Sequence, residues 1–224
     1  KEKVLDRNIL FLAIERKDNT EHRITGDNVL IPEGNPVGSI YRYTSKNIIV
    51  NGLVYEPVDK EEKAITVVDP NEEYETFKIE YKAKRGNTEI SYQPKFNGND
   101  LGTPIEITPV AQIGTPYNVV PKDITVDGKV YEPTSKDALT GRVSEDNTPI
   151  EVNYQPKLSN TALNYQPKFN GNSLGNPIEL VPSNSQIGTP YELTPQEITI
   201  DGKVYEPVSK NALTGRTTEA NTPI

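Results

Sequence analysis

The sequence predicts a mainly-β chain of three tandem modules of about 75 residues each, and three observations predict it. The line Asp127-Gly128-Lys129-Val130-Tyr131-Glu132-Pro133 recurs at 201–207 and, altered, as Asn51-Gly52-Leu53-Val54-Tyr55-Glu56-Pro57, with its tyrosines 76 and 74 residues apart. Residues 113–150 and 187–224 are identical at 27 of 38 positions. Short runs alternate with period two between Gly, Pro and Asn turns, and no segment sustains a 3.6-residue apolar period. Self-similarity on this scale marks an array. An array offers a repeated surface rather than one unique cleft.

Each copy of the signature reads as a hairpin. A two-residue Asn-Gly or Asp-Gly loop suits a type I′ turn, whose central residues both need positive φ. That register sets Ile48 opposite Tyr55, Ile124 opposite Tyr131 and Ile198 opposite Tyr205. Upstream, Gln112-Ile113-Gly114-Thr115-Pro116-Tyr117 and its copy 186–191 read as a turn into an extended segment. Pro121 excludes a long helix over 118–123 and leaves room for one short turn, the limit of any α+β character. Downstream, Leu139-Thr140-Gly141-Arg142 and its copy 213–216 lead to the polar stretches Asn147–Ile150 and Asn221–Ile224.

Tyr-Gln-Pro-Lys occurs at 92–95, 154–157 and 165–168, on candidate strands such as Ile90-Ser91-Tyr92 and Val152-Asn153-Tyr154. Asn97-Gly98 and Asn170-Gly171 add a second turn per repeat. A further strand is expected at Lys3-Val4-Leu5. These elements amount to about five or six short strands per module. Boundaries near 76 and 150 give modules 1–76, 77–150 and 151–224. The paired tyrosine strands at each junction leave a second frame open: 1–85, 86–158 and 159–224.

Composition narrows the function. The net charge is −8, and residues 1–76 hold 10 basic against 15 acidic side chains. That balance disfavours nucleic acid, which needs a basic footprint, and anionic membranes. The chain has no cysteine, so disulfides, thiol catalysis and thiolate metal sites are all excluded. Val4–Ile14 is apolar but interrupted by Asp6 and Arg7, and is neither a leader nor a membrane span. A chain without sorting signals is expected to be a piece of a longer protein.

Candidate chemistry is sparse. His22, in the polar run Asn19–Arg23, is the single histidine, and no nucleophile is placed beside it. Glu61-Glu62, Glu72-Glu73 and Asp146 lie in apparent loops. The stretch Asp69-Pro70-Asn71-Glu72-Glu73 is rich in oxygen ligands but lacks the spacing and Gly of an EF-hand. An isopeptide cross-link would need Lys95, Lys168, Asn97 or Asn170, and nothing in the spacing singles out a pair. Tyr92, Tyr117, Tyr131, Tyr165, Tyr191 and Tyr205 are able to stack on sugar rings, as are Tyr41 and Tyr43. Their recurrence in strands favours a core or core-edge role. No catalytic, metal or cofactor site is expected, and no ligand-binding residue is assigned.

The order Ile90-Ser91-Tyr92, Gly114-Thr115-Pro116-Tyr117, Gly128-Lys129-Val130-Tyr131-Glu132, Leu139-Thr140-Gly141, Val152-Asn153-Tyr154 resembles a MucBP-type repeat. Residues Gly188 to Gly215 match equally well. The first module matches in part, through Gly38, Tyr41, Gly52, Tyr55 and Ile79-Glu80-Tyr81. The resemblance implies β-grasp-like or related mainly-β modules, in a Gram-positive surface adhesin fixed to the cell wall. It implies no catalytic residues. The expected role is a non-catalytic stalk, an elongated array on the order of 100 Å long, with adjoining domains of the same protein as neighbours. A second expectation is direct binding of host mucin glycan or another host glycoprotein. Under that expectation the divergent first module is the best site candidate.

Overall fold

A computed structural model describes residues 2–69 and 77–224. Every regular element among them is a strand, so the fold is all-β there. The helical turn allowed after Asn118 does not form. The strand Pro116–Val119 gives way to irregular chain before the strand Ile124–Val126. The chain divides into two compact units, and the second repeat contributes to both. The first unit comprises 1–90, 106–118 and 140–148; the second comprises 91–105, 119–139 and 149–224.

The first unit holds a five-stranded sheet in the order Thr20–Ile31, Ile9–Lys17, Phe77–Ala83, Leu53–Pro57, Ile48–Val50. Ile9–Lys17 and Phe77–Ala83 run parallel, with Phe11 opposite Phe77 and Ala13 opposite Ile79. The other neighbours pair antiparallel, Tyr55 with Ala83 and Pro57 with Tyr81. Leu5, Phe11, Ala13, Ile31, Val67 and Tyr81 form its buried core. Strands Ile40–Thr44 and Glu62–Thr66 make a separate pair, with Tyr41 opposite Ile65.

The two longest strands of this unit, Ile9–Lys17 and Thr20–Ile31, were not legible as such. Their hairpin turns on Asp18 and Asn19, with φ of 51° and 60°. This is the same left-handed pair that Asn-Gly supplies elsewhere, here without a glycine to flag it. His22, in that polar run, therefore sits on a strand, opposite Glu15. The strand expected at 3–5 is reduced to a bridge between Val4 and Pro36.

The second unit repeats the sheet plan. Its strands run Ile90–Phe96, Ile150–Pro156, Lys129–Pro133, Ile124–Val126, with Asn99–Asp100 paired to the end of the first. Tyr92 and Ile150 pair in parallel; Pro133 and Tyr154 pair antiparallel. Ile90–Gln93 is buried throughout rather than alternating. In the last repeat the strand Leu163–Tyr165 meets Ile224: Ile224 N donates to Asn164 O and Gln166 N to Ile224 O, 2.9 and 2.8 Å.

The expected hairpins form with the expected facing pairs: Ile48 with Tyr55, Ile124 with Tyr131, Ile198 with Tyr205. Their turn residues Asn51, Asp127 and Asp201 have φ of 52°, 50° and 49°. Asn97 and Asn170 take the same conformation, each at 51°.

Candidate binding surfaces and repeat junctions

The three Tyr-Gln-Pro-Lys lines occupy two structural roles. At 92–95 and 165–168 the glutamine closes a turn: Gln93 Nε2 donates to Pro94 O and Gly102 O, and Gln166 Nε2 to Pro167 O and Gly175 O. At 154–157 the line ends a strand, where Gln155 Nε2 reaches Glu132 Oε1 at 3.0 Å. Its tyrosine, Tyr154, takes the place that Tyr81 holds in the first repeat. Both tyrosines are buried, and both hydroxyls donate to a main-chain carbonyl, Lys122 O at 2.9 Å and Lys46 O at 3.1 Å. Burial pushes both phenols above the ordinary tyrosine range.

Of the tyrosines considered for sugar stacking, Tyr92 is buried at 4% exposure and offers no ring face. Tyr131 and Tyr205 are half-buried against Phe96 and Phe169, with ring centroids 5.5 Å apart in each case. Tyr117 and Tyr191 lie across Gly141 and Gly215, where an added Cβ would meet their hydroxyls at 2.4 and 2.5 Å. Tyr165 is half-buried and lines a cleft of about 500 Å³ with Phe169, Val204 and Tyr205. Tyr41 and Tyr43 line an open cleft of about 650 Å³ in the first repeat with Phe11, Arg42 and Tyr81. There the Phe11 ring stands 6.0 Å from Tyr43 and 6.4 Å from Tyr81.

The other candidates have structural partners. Lys95 ion-pairs with Asp100 at 2.6 Å and Glu151 at 3.3 Å, and Asp100 chiefly raises its affinity for its proton. Asn97 and Asn170 are committed to their turns, and Lys168 is exposed. Glu62 pairs with Arg42, and Asp146 accepts from Asn87 Nδ2 at 2.9 Å. Glu61 is exposed. Pro70, Asn71, Glu72 and Glu73 of the proposed oxygen-ligand stretch lie outside the described residues.

The most heavily built feature was invisible as a site in the sequence. It is the contact between one repeat's hairpin and the next repeat's glycine turn. In the first unit, Val54 N donates to Ile113 O at 3.0 Å, and Val54 O accepts from Lys84 N and from Gln112 Nε2, at 3.0 and 2.9 Å. Arg142 Nη1 donates to Gly114 O at 2.7 Å. Gly114 has φ of 93°, and an added Cβ would lie 1.8 Å from Gly52 O. Only a glycine lets the two backbones come this close.

The second unit repeats this contact for contact. Val130 N donates to Ile187 O at 3.0 Å, and Val130 O accepts from Lys157 N and Gln186 Nε2, each at 3.0 Å. Arg216 Nη1 reaches Gly188 O at 2.7 Å. A Cβ on Gly188 would lie 1.9 Å from Gly128 O. Flanking lysines bridge across the junction: Lys84 pairs with Glu145 at 2.7 Å, and Lys157 with Asp123 and Glu219 at 2.9 and 3.3 Å.

The periods of this junction are those of a known repeat. The MucBP domain matches residues 87–155 and 162–224. The chain belongs to the MucBP family. No curated relative and no solved structure matches it. MucBP domains are adhesin-type repeats of extracellular bacterial surface proteins, a binding rather than a catalytic family. Each MucBP match contains one Gly–Arg pair, Gly114 with Arg142 or Gly188 with Arg216, that receives the hairpin before it. No helix among the described residues is long and apolar enough to cross a membrane.

Proposed function

We propose that this chain is a non-catalytic tandem-repeat stalk segment of a bacterial cell-surface adhesin, holding a binding region away from the cell wall. The observation that carries this reading is the junction, built twice from the same contacts. A chain that needed only flexible tethers would not place a glycine where a methyl group would strike main chain at 1.8–1.9 Å. The modules of this reading run 1–85, 86–158 and 159–224. The pairing of Phe77–Ala83 with Ile9–Lys17, and of Ile150–Pro156 with Ile90–Phe96, supports that frame. Parallel pairing of a module's first and last strands is the feature that favours a β-grasp-like description. Small-angle scattering on the whole chain tests the stalk. A maximum dimension on the order of 100 Å is expected, since three such modules in line would reach it. A compact particle refutes it.

A second reading is direct binding of a host mucin glycan or another host glycoprotein by the first module. It is favoured by the open cleft that Tyr41 and Tyr43 line. Aromatic faces in an open cleft suit a sugar ring. A glycan array probed with the whole chain and with Tyr41→Ala decides it. Saturable binding by the chain that is lost in Tyr41→Ala supports this second reading; no binding by either leaves the stalk role standing.

A further inference from the structure

In the first repeat the chain enters its sheet at Ile9 and leaves it after Ala83; in the second it enters at Ile90 and leaves after Pro156. The entering and leaving strands are neighbours in both sheets, and they run parallel. Four residue pairs hold each couple in register, Phe11–Phe77 to Ile14–Glu80 and Tyr92–Ile150 to Lys95–Asn153. In a parallel couple, the start of one strand and the end of the other lie at opposite ends of the ladder. Tension applied at those two points runs along the strands, and the bonds that cross between them share it. A hairpin pulled at its open end meets the same tension one bond at a time. Both ladders are also shielded. Phe11 and Ala13 lie in the first core, and Tyr92, Gln93 and Val152 are buried in the second. Water cannot replace such bonds before the strands part, and bonds in a low-dielectric interior are the stronger ones. In each couple a cation on the entering strand reaches a glutamate on the leaving strand, Arg16 to Glu80 at 3.4 Å and Lys95 to Glu151 at 3.3 Å.

From these observations we infer that each strand couple is a shear clamp, which keeps its repeat folded while the chain transmits tension along its length. The clamp is a separate device from the repeat junction. None of its paired residues, 11–14 with 77–80 and 92–95 with 150–153, takes part in the hairpin-to-glycine contacts. The inference holds whether the array spaces or binds.

The test is single-molecule force spectroscopy on the whole chain, pulled through thiol-linked handles. The chain has no cysteine, so an introduced pair alone sets the direction of pull. Glu89, Thr148 and Asn153 are exposed and accept the substitution at little cost to the fold. Glu89→Cys with Asn153→Cys pulls along the second couple. Glu89→Cys with Thr148→Cys pulls both strands at their shared end and peels the same ladder open. Rupture along the strands is expected to need at least about twice the peeling force, because four residue pairs share the tension in place of one. It is expected in a single step that frees the chain between positions 89 and 153, about 220 Å at roughly 3.5 Å per residue. Equal rupture forces in the two directions overturn the inference. Rupture along the strands in a series of small steps overturns it as well, since the couple then peels instead of shearing.

Discussion

Replacing Gly114 by alanine separates the two demands that the junction makes on that position. The first demand is conformational. With φ at 93°, an L-residue carries strain of roughly 1–2 kcal/mol. The second is steric. The methyl group would sit 1.8 Å from Gly52 O, 2.8 Å from its carbonyl carbon and 3.1 Å from Leu53 Cα, all main-chain atoms without a rotamer to escape into. The hairpin must back away, and the hydrogen bonds Val54 N to Ile113 O, Gln112 to Val54 O and Arg142 to Gly114 O stretch or break. At about 1 kcal/mol each for two or three bonds, the total comes to roughly 3–5 kcal/mol. Gly38 is the internal control. It has φ of 88°, donates to Val67 O as Gly114 donates to Val143 O, and has nothing within 4 Å of its Cβ position. Gly38→Ala therefore carries the conformational strain alone. Hydrogen exchange at the Val54 amide reads the difference. A gap of about 2 kcal/mol corresponds to roughly thirtyfold faster exchange in Gly114→Ala than in Gly38→Ala. Equal exchange at Val54 in the two variants refutes the reasoning, because the close approach would then contribute nothing.

Other expectations follow from the same structure. Arg142→Ala leaves Gly114 O without its guanidinium donor and, being at an exposed side chain, is expected to cost about 1 kcal/mol of junction stability, with Arg142→Lys only partly restoring it, as measured by Val54 exchange. Ser159 is 1% exposed and its Oγ has no partner among the described residues, where the preceding repeat has Gly86; Ser159→Ala is expected to raise stability by up to about 1 kcal/mol in urea unfolding. Tyr81 and Tyr154 keep their protons in the folded chain above the ordinary tyrosine value of 10.0, whereas the unfolded chain ionises there. The unfolded state then holds fewer protons, so stability falls as pH rises past about 10. Alkaline denaturation followed by circular dichroism should show this, with a weaker pH dependence in Tyr154→Phe. Gly141→Ala, which would strike the Tyr117 ring, is expected to expose that tyrosine, read as increased ring mobility by NMR.

Several features could be read directly because their causes are local. Asn51-Gly52, Asp127-Gly128 and Asp201-Gly202 turn where they do because a two-residue hairpin needs left-handed backbone, which these residues adopt at least cost. The facing Ile–Tyr pairs follow from that register alone. The family also followed from short motifs at their spacing. The hairpin at Asp18-Asn19 was missed because neither residue is a glycine, although Asn and Asp tolerate the same conformation. The two roles of Tyr-Gln-Pro-Lys were missed for a different reason. One tetrapeptide can end a strand or lead into a turn, and only its partners, Glu132 in one case and the Gly102 carbonyl in another, tell the cases apart.

The sequence by itself thus determined the repeat, the hairpins, the mainly-β character and the family. Tertiary structure alone decided that Phe77–Ala83 pairs in parallel with Ile9–Lys17 and Ile150–Pro156 with Ile90–Phe96, which tyrosines are buried, and why Gly114 and Gly188 are glycines. The physical reason is range. A turn is settled by the torsions of two adjacent residues, whereas a methyl group meeting a carbonyl 62 or 60 positions earlier in the chain exists only once the repeats have docked.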